Sequence, residues 1–140
     1  MVWITIELYL YIMKLKFIKP SEIERNIKAT VHKTGKLSFT VEASNKMGLN
    51  ELKSIGIAIN EESDDENLYV VVYDKVDSNG YKIGKAGGYH YVNTKALFDS
   101  LKLDYNSENN TIIFDITENM YEGNKIFTFK RRTILRKEIE

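Results

Sequence analysis

Residues 68–75 read LYVVVYDK, and this stretch indicates both the type of secondary structure and the way in which it packs. Side chains along a strand point alternately to opposite faces. Leu68, Val70 and Val72 therefore share an aliphatic face, whereas positions 69, 73 and 75 place two tyrosines and a lysine on the other. We expect the aliphatic face to be buried and the aromatic, basic face to point outward.

Similar short runs of β-branched and aromatic residues occur along the chain, separated by turn signals. The predicted strands cover residues 14–19, 26–32, 36–40, 54–60, 68–75, 81–85, 89–92, 111–117 and 125–131. Residues 41–49 and 94–103 read instead as short helices. Thr40 is a suitable N-cap and Gly48 a suitable C-terminal glycine for the first helix, and Asn93 is a suitable N-cap for the second. The predicted fold class is α+β, mainly antiparallel β-sheet with two short helices.

The order of elements contains a loose internal similarity. Residues 39–43 (FTVEA) align with residues 92–96 (VNTKA), and each stretch leads into an apolar helix end at 47–49 or 101–103. This is compatible with a degenerate duplication of a unit of three or four strands followed by a helix. The aliphatic faces predict a core between sheet and helix formed by Ile55, Ile57, Ile59, Val70, Val72, Leu97 and Leu101.

The length of 140 residues fits one domain with a single core. We expect an N-terminal extension at residues 1–12, either an edge strand or disordered, then a single α+β domain at 13–132 and a basic C-terminal tail at 133–140. The first 12 residues are apolar but too short to span a bilayer, so no membrane partner is expected.

The absence of cysteine excludes a disulfide framework, a cysteine-ligated zinc site and a thiol nucleophile, and it suits a reducing cytoplasm. Lys+Arg and Asp+Glu both number 20, so the formal net charge is zero. Nucleic-acid-binding domains are commonly basic. A nucleic-acid role in this chain would therefore require a local patch of positive charge.

Nothing in the sequence forms a recognisable catalytic motif. His32 and His90 are the only histidines, and neither stands in a nucleophile motif. The acidic run at 61–66 lacks the glycine-shaped loop of a calcium site. The glycine-rich segment 80–88 differs from the phosphate-binding GxxxxGK[ST] loop and reads as a twisted hairpin. We expect no enzymatic activity, no metal site and no cofactor.

The distribution of tyrosine and basic residues favours binding. Tyrosine rings can stack on bases and lysines can neutralise phosphates, although tyrosines are also common in ordinary strands. The densest basic cluster, residues 130–132 with Arg136 and Lys137, is either a solvated strand end or a guide for phosphates. The candidate nucleic-acid-binding residues are Tyr69, Tyr73, Lys75, Lys82, Lys85, Tyr89, Tyr91, Lys130, Arg131 and Arg132.

From Leu68 to Leu103 the order of strands and turns resembles the single-stranded-DNA-binding fold of the positive-coactivator-four and Whirly families. The similarity lies in the strand at 68–73, the turn DSNG at 77–80, the segment KIGKAG at 82–87 and the strand that enters a helix at 92–94. This resemblance implies a nucleic-acid surface that includes Lys82 and Lys85. Ala86 departs from the family pattern, which tends to have a further basic residue there.

A rival resemblance lies upstream, at residues 35–59. Gly35-Lys36-Leu37-Ser38-Phe39, Glu42 and Met47-Gly48-Leu49 are similar to the AbrB-type swapped-hairpin motif, but the family's proline is replaced by Thr40 and its glycine-aspartate turn by Leu52-Lys53.

Three hypotheses follow from these patterns. The first is a homo-oligomer that binds single-stranded DNA or RNA with low sequence preference. The second is an AbrB-like dimeric regulator of double-stranded DNA. The third is a structural or adaptor protein that acts through a sheet edge.

Overall fold

The computed structural model describes residues 15–18 and 26–135, and these residues form eight strands and two helices. The strands are β1 (Lys28–Val31), β2 (Leu37–Phe39), β3 (Ser54–Ala58), β4 (Leu68–Tyr73), β5 (Tyr81–Ala86), β6 (Tyr89–Val92), β7 (Asn110–Tyr121) and β8 (Asn124–Leu135). The helices are α1 (Val41–Met47) and α2 (Lys95–Ser100). Neither of these helices is long and apolar enough to cross a membrane.

The strands close into a barrel in the order β1-β2-β6-β5-β3-β4-β8-β7, with β7 pairing back to β1. Every described pairing is antiparallel. The prediction of an α+β fold with a mainly antiparallel sheet and two short helices is confirmed.

The barrel consists of two halves with the same order of elements, β1-β2-α1-β3-β4 and β5-β6-α2-β7-β8. Exchanging the halves leaves the strand order of the ring unchanged. The helices also end alike, because Gly48 and Lys102 both adopt positive φ angles, 66° and 57°. The next residue, Leu49 or Leu103, donates its N–H to the carbonyl five residues earlier, at 2.9 and 3.0 Å. The helix ends that align in the sequence are therefore equivalent in the structure.

Helix α1 begins and ends as its sequence predicts. The Thr40 side-chain oxygen accepts a hydrogen bond from the Ala43 N–H at 3.2 Å, which is an N-cap interaction. Gly48 then terminates the helix in the left-handed conformation that glycine adopts without steric cost.

The predicted N-cap of α2 is wrong by one residue. Thr94, not Asn93, occupies the N-cap position, and its side chain makes no capping hydrogen bond. The Thr94 hydroxyl is fully buried and donates instead to the Gly35 carbonyl at 2.8 Å. It ties the start of α2 to the β1–β2 turn, which is a long-range contact that helix-cap statistics cannot reveal.

The barrel interior is packed with aromatic and aliphatic side chains. Phe114 lies between Phe98 and Phe129, with ring centroids 6.3 and 6.2 Å away, and Phe39 packs edge-on against Phe129. All four phenylalanines are 2% exposed or less. Phe98 of α2 was not among the predicted core residues, because the sequence pattern favoured the stripe that contains Leu97 and Leu101.

Six of the seven predicted core positions pack in the core. Ile55 and Val70 are fully buried, and Ile57, Val72, Leu97 and Leu101 are partly buried against the same cluster. The prediction for Ile59 is wrong, since this side chain is 49% exposed. β3 ends at Ala58, so Ile59 lies beyond the paired part of the strand.

β7 and β8 pair with each other over their full length, but with the rest of the barrel over only part of it. β7 pairs with β1 at residues 113–115, and β8 pairs with β4 at residues 127–129. Residues 117–126 thus form a two-stranded extension, the β-arm, with its turn at Glu122 and Gly123 (φ 50° and 81°). Two positive φ angles are typical of the tight hairpin turns that match strand twist.

The predicted first strand, residues 14–19, is not found in the part that the structure describes. Residues 15–18 have no regular secondary structure, and Phe17 is 88% exposed. Alternating polarity alone predicted this strand, and the described residues provide no pairing partner for it. β8 extends to Leu135, so the first residues of the predicted tail belong to the sheet. The extension at 1–12 and Arg136 and Lys137 lie outside the described residues.

Candidate nucleic-acid interface

The four candidate tyrosines lie on the outer side of one continuous part of the barrel. Strands β6, β5, β3 and β4 are consecutive neighbours in the ring. Their inward positions are occupied by buried aliphatic residues, Ile55, Val70, Ile83 and Val92. The alternation of side chains then directs Tyr69, Tyr73, Tyr89 and Tyr91 outward, and each of these tyrosines is only half-buried.

Two of these tyrosine rings lie over glycines on the sheet surface. A methyl group added at Gly56 would lie 2.6 Å from the Tyr73 hydroxyl oxygen, and one added at Gly84 would lie 2.6 Å from Cζ of Tyr91. Gly84 and Tyr91 are direct partners across β5 and β6. The lack of a side chain at these glycines allows the outer end of each ring to approach the backbone closely.

The Tyr91 ring also contacts a cation from the neighbouring hairpin. Lys36 Nζ lies 4.2 Å from the Tyr91 ring centroid, within the range of a cation–π interaction. Ser38 of β2 is the partner of Tyr91 across the sheet, and its hydroxyl oxygen lies 2.6 Å from His32 Nε2. The His32 and Tyr89 rings are nearly parallel, with an interplanar angle of 20° and centroids 6.4 Å apart. Rings and lysines of two hairpins thus meet on one surface.

Charge is distributed unevenly around the barrel. Residues 26–40 and 78–94, which contain β1, β2, β5 and β6, include five lysines and no aspartate or glutamate. The four strands are neighbours in the order β1-β2-β6-β5. None of their lysines forms an ion pair within the described residues. A chain of zero net charge therefore has a positively charged side.

We name the outward side of these four strands the basic face. It carries Lys28, Lys36, Lys82, Tyr89 and Tyr91. Lys82 lies on this face of β5, whereas Lys85 lies on the opposite face of the same strand, with the buried Ile83.

The candidate residues of β4 are separated from the basic face by β3, and their surroundings are less basic. Tyr69 donates a hydrogen bond from its hydroxyl to Asp65 at 3.0 Å. Lys75 follows the end of β4 and is exposed, and its carbonyl accepts a hydrogen bond from the Ser54 hydroxyl at 2.7 Å. Tyr69 thus lies beside the acidic loop at 61–66, and Tyr73 and Lys75 flank Asp74, so carboxylates near these residues would repel a phosphate.

The basic cluster of β8 is largely neutralised by carboxylates. Arg132 forms a two-point interaction with Asp115, with Nε and Nη2 at 2.6 and 3.2 Å from the two carboxylate oxygens. Arg131 lies 3.3 Å from Glu66. Lys130 is exposed and forms no ion pair within the described residues. The most basic stretch of the sequence is thus not the most basic surface of the structure.

The sequence patterns did not identify the β1–β2 hairpin as part of the basic face. Lys28, Lys36 and His32 were not among the candidate residues, although Lys36 and His32 contact the rings of β6. The absence of acidic residues from 26–40 could have revealed them. Their proximity to β6 depends on the pairing of β2 with β6, which joins residues more than 50 positions apart.

A separate polar network lies at α2. Hydrogen bonds from Lys95 (2.8 Å) and from the Tyr105 hydroxyl lower the pKa of Asp99 below its ordinary value. The same contact with Asp99 raises the pKa of Lys95. These groups join α2 to the segment after it, so we assign them to the stability of the fold.

Comparison with protein-family models, curated proteins and solved structures gives no match to this chain.

Proposed function

We propose that this protein binds single-stranded nucleic acid on its basic face, with little sequence preference and without catalysing a reaction. The observation that carries this proposal is that the outward rings of Tyr89 and Tyr91 lie on four neighbouring strands whose described segments, 26–40 and 78–94, contain lysines and no acidic residue. Exposed rings offer stacking surfaces to unpaired bases, and lysines attract the phosphates between them. Neither interaction distinguishes one base sequence from another.

The basic face has two types of contact that act in different ways. Tyr91 rests on Gly84, so its position is set by the sheet before a base arrives. Lys36 contacts the Tyr91 ring, and Lys28 and Lys82 lie on the same face, on β1 and β5. Each phosphate that a lysine neutralises releases counterions, which makes binding dependent on salt, whereas stacking releases few. The proposal therefore predicts separable effects of lysine and tyrosine substitutions.

The test is a fluorescence anisotropy titration with a single-stranded oligonucleotide at several salt concentrations. The variant Lys28→Ala/Lys82→Ala should bind more weakly, and the slope of log Kd against log salt should fall by about 1.4, that is about 0.7 for each lost contact. The matched control is Lys46→Ala/Lys125→Ala, which removes two lysines elsewhere and should leave the slope unchanged. No binding by the parent at low salt, or equal slopes in both variants, would contradict the proposal.

One observation supports a second candidate, an adaptor that pairs through a sheet edge. Along the β-arm, β7 has β8 on one side, and no described strand pairs with its other side beyond Asp115. Met120 and Tyr121 of this segment are 67% and 61% exposed. Unpaired strand edges can accept an extended partner. The Ile116 N–H points to this open side, where it reaches the Ile27 carbonyl, so the alternation along β7 directs the Met120 N–H to the same side. Replacing Met120 with proline should therefore abolish such pairing, and size-exclusion chromatography with light scattering would detect the loss of an oligomer.

A further inference from the structure

A cleft with a volume of 370 Å³ lies at the end of the basic face, beside the β1–β2 turn. It is lined by residues 30–34, Lys36, Tyr89 and Thr111. Its volume is in the range of small-molecule sites. Two of the lining residues are lysines, four are threonines or tyrosines with a hydroxyl group, and none of the described lining residues is acidic. The cleft is therefore suited to an anion.

Thr111 of β7 provides an independent indication of a ligand. Its side chain is 4% exposed, and its hydroxyl is the one buried side-chain polar atom that lacks a hydrogen-bond partner among the described residues. Buried hydroxyls are nearly always bonded, because an unsatisfied one destabilises the fold. Rotation about χ1 exchanges the hydroxyl with the methyl group of a threonine. The hydroxyl is buried in the described conformation, and a rotation that turns it towards the cleft would present a donor to a ligand there.

The charges of the cleft indicate which anion fits. A phosphodiester within a strand carries one negative charge, whereas a phosphate monoester carries about 1.5 to 2 at neutral pH. Lys33 and Lys36 bring two positive charges to the same cleft, and Thr111 adds an unsatisfied hydroxyl. This donor set matches a monoester better than a diester. The nearly parallel rings of His32 and Tyr89 offer apolar surface to the base attached to it.

We propose that the cleft holds the phosphorylated end of a nucleic-acid strand, with the monoester at Lys33, Lys36 and Thr111. This inference rests on the proposed function, because the rest of the strand would follow the basic face. The group that the cleft recognises is a terminal phosphate monoester, which either a 5′ or a 3′ end can carry.

The experiment compares three oligonucleotides of about 12 nucleotides with the same sequence, one with a 5′-phosphate, one with a 3′-phosphate and one with hydroxyls at both ends. Isothermal titration calorimetry measures their affinities without a label. We expect one of the two phosphorylated strands to bind about tenfold more tightly than the strand with hydroxyls at both ends. Which of the two binds more tightly shows whether the 5′ or the 3′ end enters the cleft.

The variant Thr111→Val removes the hydroxyl and keeps the shape of the side chain. It should abolish the preference for the phosphorylated end, leave the affinity for the hydroxyl-ended strand unchanged, and keep or raise the melting temperature, because the hydroxyl has no protein partner. Lys33→Ala should also abolish the preference. Thr133→Val, at an exposed threonine of β8, is the matched control and should retain it.

Equal affinity of the parent for all three strands would overturn the assignment of the cleft while leaving the basic face as a nucleic-acid surface. A preference that survives in both Thr111→Val and Lys33→Ala would also overturn it. Failure of the parent to bind any of the strands would overturn this inference and the proposed function together.

Discussion

Gly84→Ala places a methyl group in the space that the Tyr91 ring occupies. The new Cβ would lie 2.6 Å from Cζ, 2.8 Å from the hydroxyl oxygen and 2.9 Å from Cε1 of Tyr91. These three atoms belong to the far end of the tyrosine side chain, so the ring can swing away while the backbone of β5 and β6 stays paired. The substitution should therefore displace the proposed stacking surface without opening the barrel.

The expected loss is larger for binding than for stability. A base stacked on an aromatic ring contributes about 1–3 kcal/mol, which corresponds to roughly a 5- to 150-fold increase in Kd when the ring is displaced. The cation–π contact with Lys36 contributes about 0.5–1 kcal/mol at an exposed site. Alanine is more favourable than glycine inside a strand by roughly 0.5–1 kcal/mol, which offsets that loss. The free energy of unfolding should change by less than about 1 kcal/mol.

Anisotropy titrations with a single strand and thermal unfolding measure these two quantities. Gly88→Ala is the matched control in the same hairpin, because a methyl group there meets no atom within 4 Å. It should leave both quantities unchanged, whereas Tyr91→Ala should reproduce the binding loss of Gly84→Ala. If Gly84→Ala binds as tightly as the parent, or if Gly88→Ala binds as weakly as Gly84→Ala, Tyr91 is not a stacking surface.

Three further substitutions test the fold and the distribution of charge. Phe98→Ala should lower the free energy of unfolding by about 3–5 kcal/mol in urea titrations, because the side chain is fully buried; a loss under about 1 kcal/mol would contradict its place in the core. Hydrogen bonds from Lys95 and Tyr105 lower the pKa of Asp99, so this carboxylate stabilises the fold above its unfolded-state pKa near 4, and that contribution is lost as the pH falls through the lower folded-state pKa. Asp99→Asn should therefore lower the melting temperature at pH 7 and reduce its fall between about pH 5 and 2, and an unchanged pH profile would refute this role. Arg132→Ala should leave the salt dependence of nucleic-acid binding unchanged, because this arginine is already paired with a carboxylate, and a fall of about 0.7 in slope would place it in the interface.

Local patterns in the sequence predicted most of the elements. The alternation at 68–73 placed Val70 inward and Tyr69 and Tyr73 outward, as the structure does. Thr40 and Gly48 predicted the ends of α1, because caps depend on contacts within one turn. The errors concern features that depend on distant partners. Exposure of Ile59 follows from the end of the β3 pairing.

The candidate site was predicted in part, for the same reason. Tyr89, Tyr91 and Lys82 lie on the basic face, and their strand alternation was readable from the sequence. The β1–β2 hairpin joins them through pairings between segments far apart in the chain, which composition does not specify. The arginines of β8 looked available because the carboxylate that pairs with Arg132 lies 17 residues away, on the neighbouring strand.

Mapping the contact surface by nuclear magnetic resonance tests the central claim most directly. Unlabelled single-stranded oligonucleotide is added to ¹⁵N-labelled protein at low and at raised salt, and the shifts of the backbone amide signals are followed. We expect the largest changes in β1, β2, β5 and β6, around Lys36, Lys82 and Tyr91, and we expect them to weaken as salt is raised. Changes confined to the β-arm at 117–126, or no changes at low salt, would contradict the proposal that the basic face binds single strands.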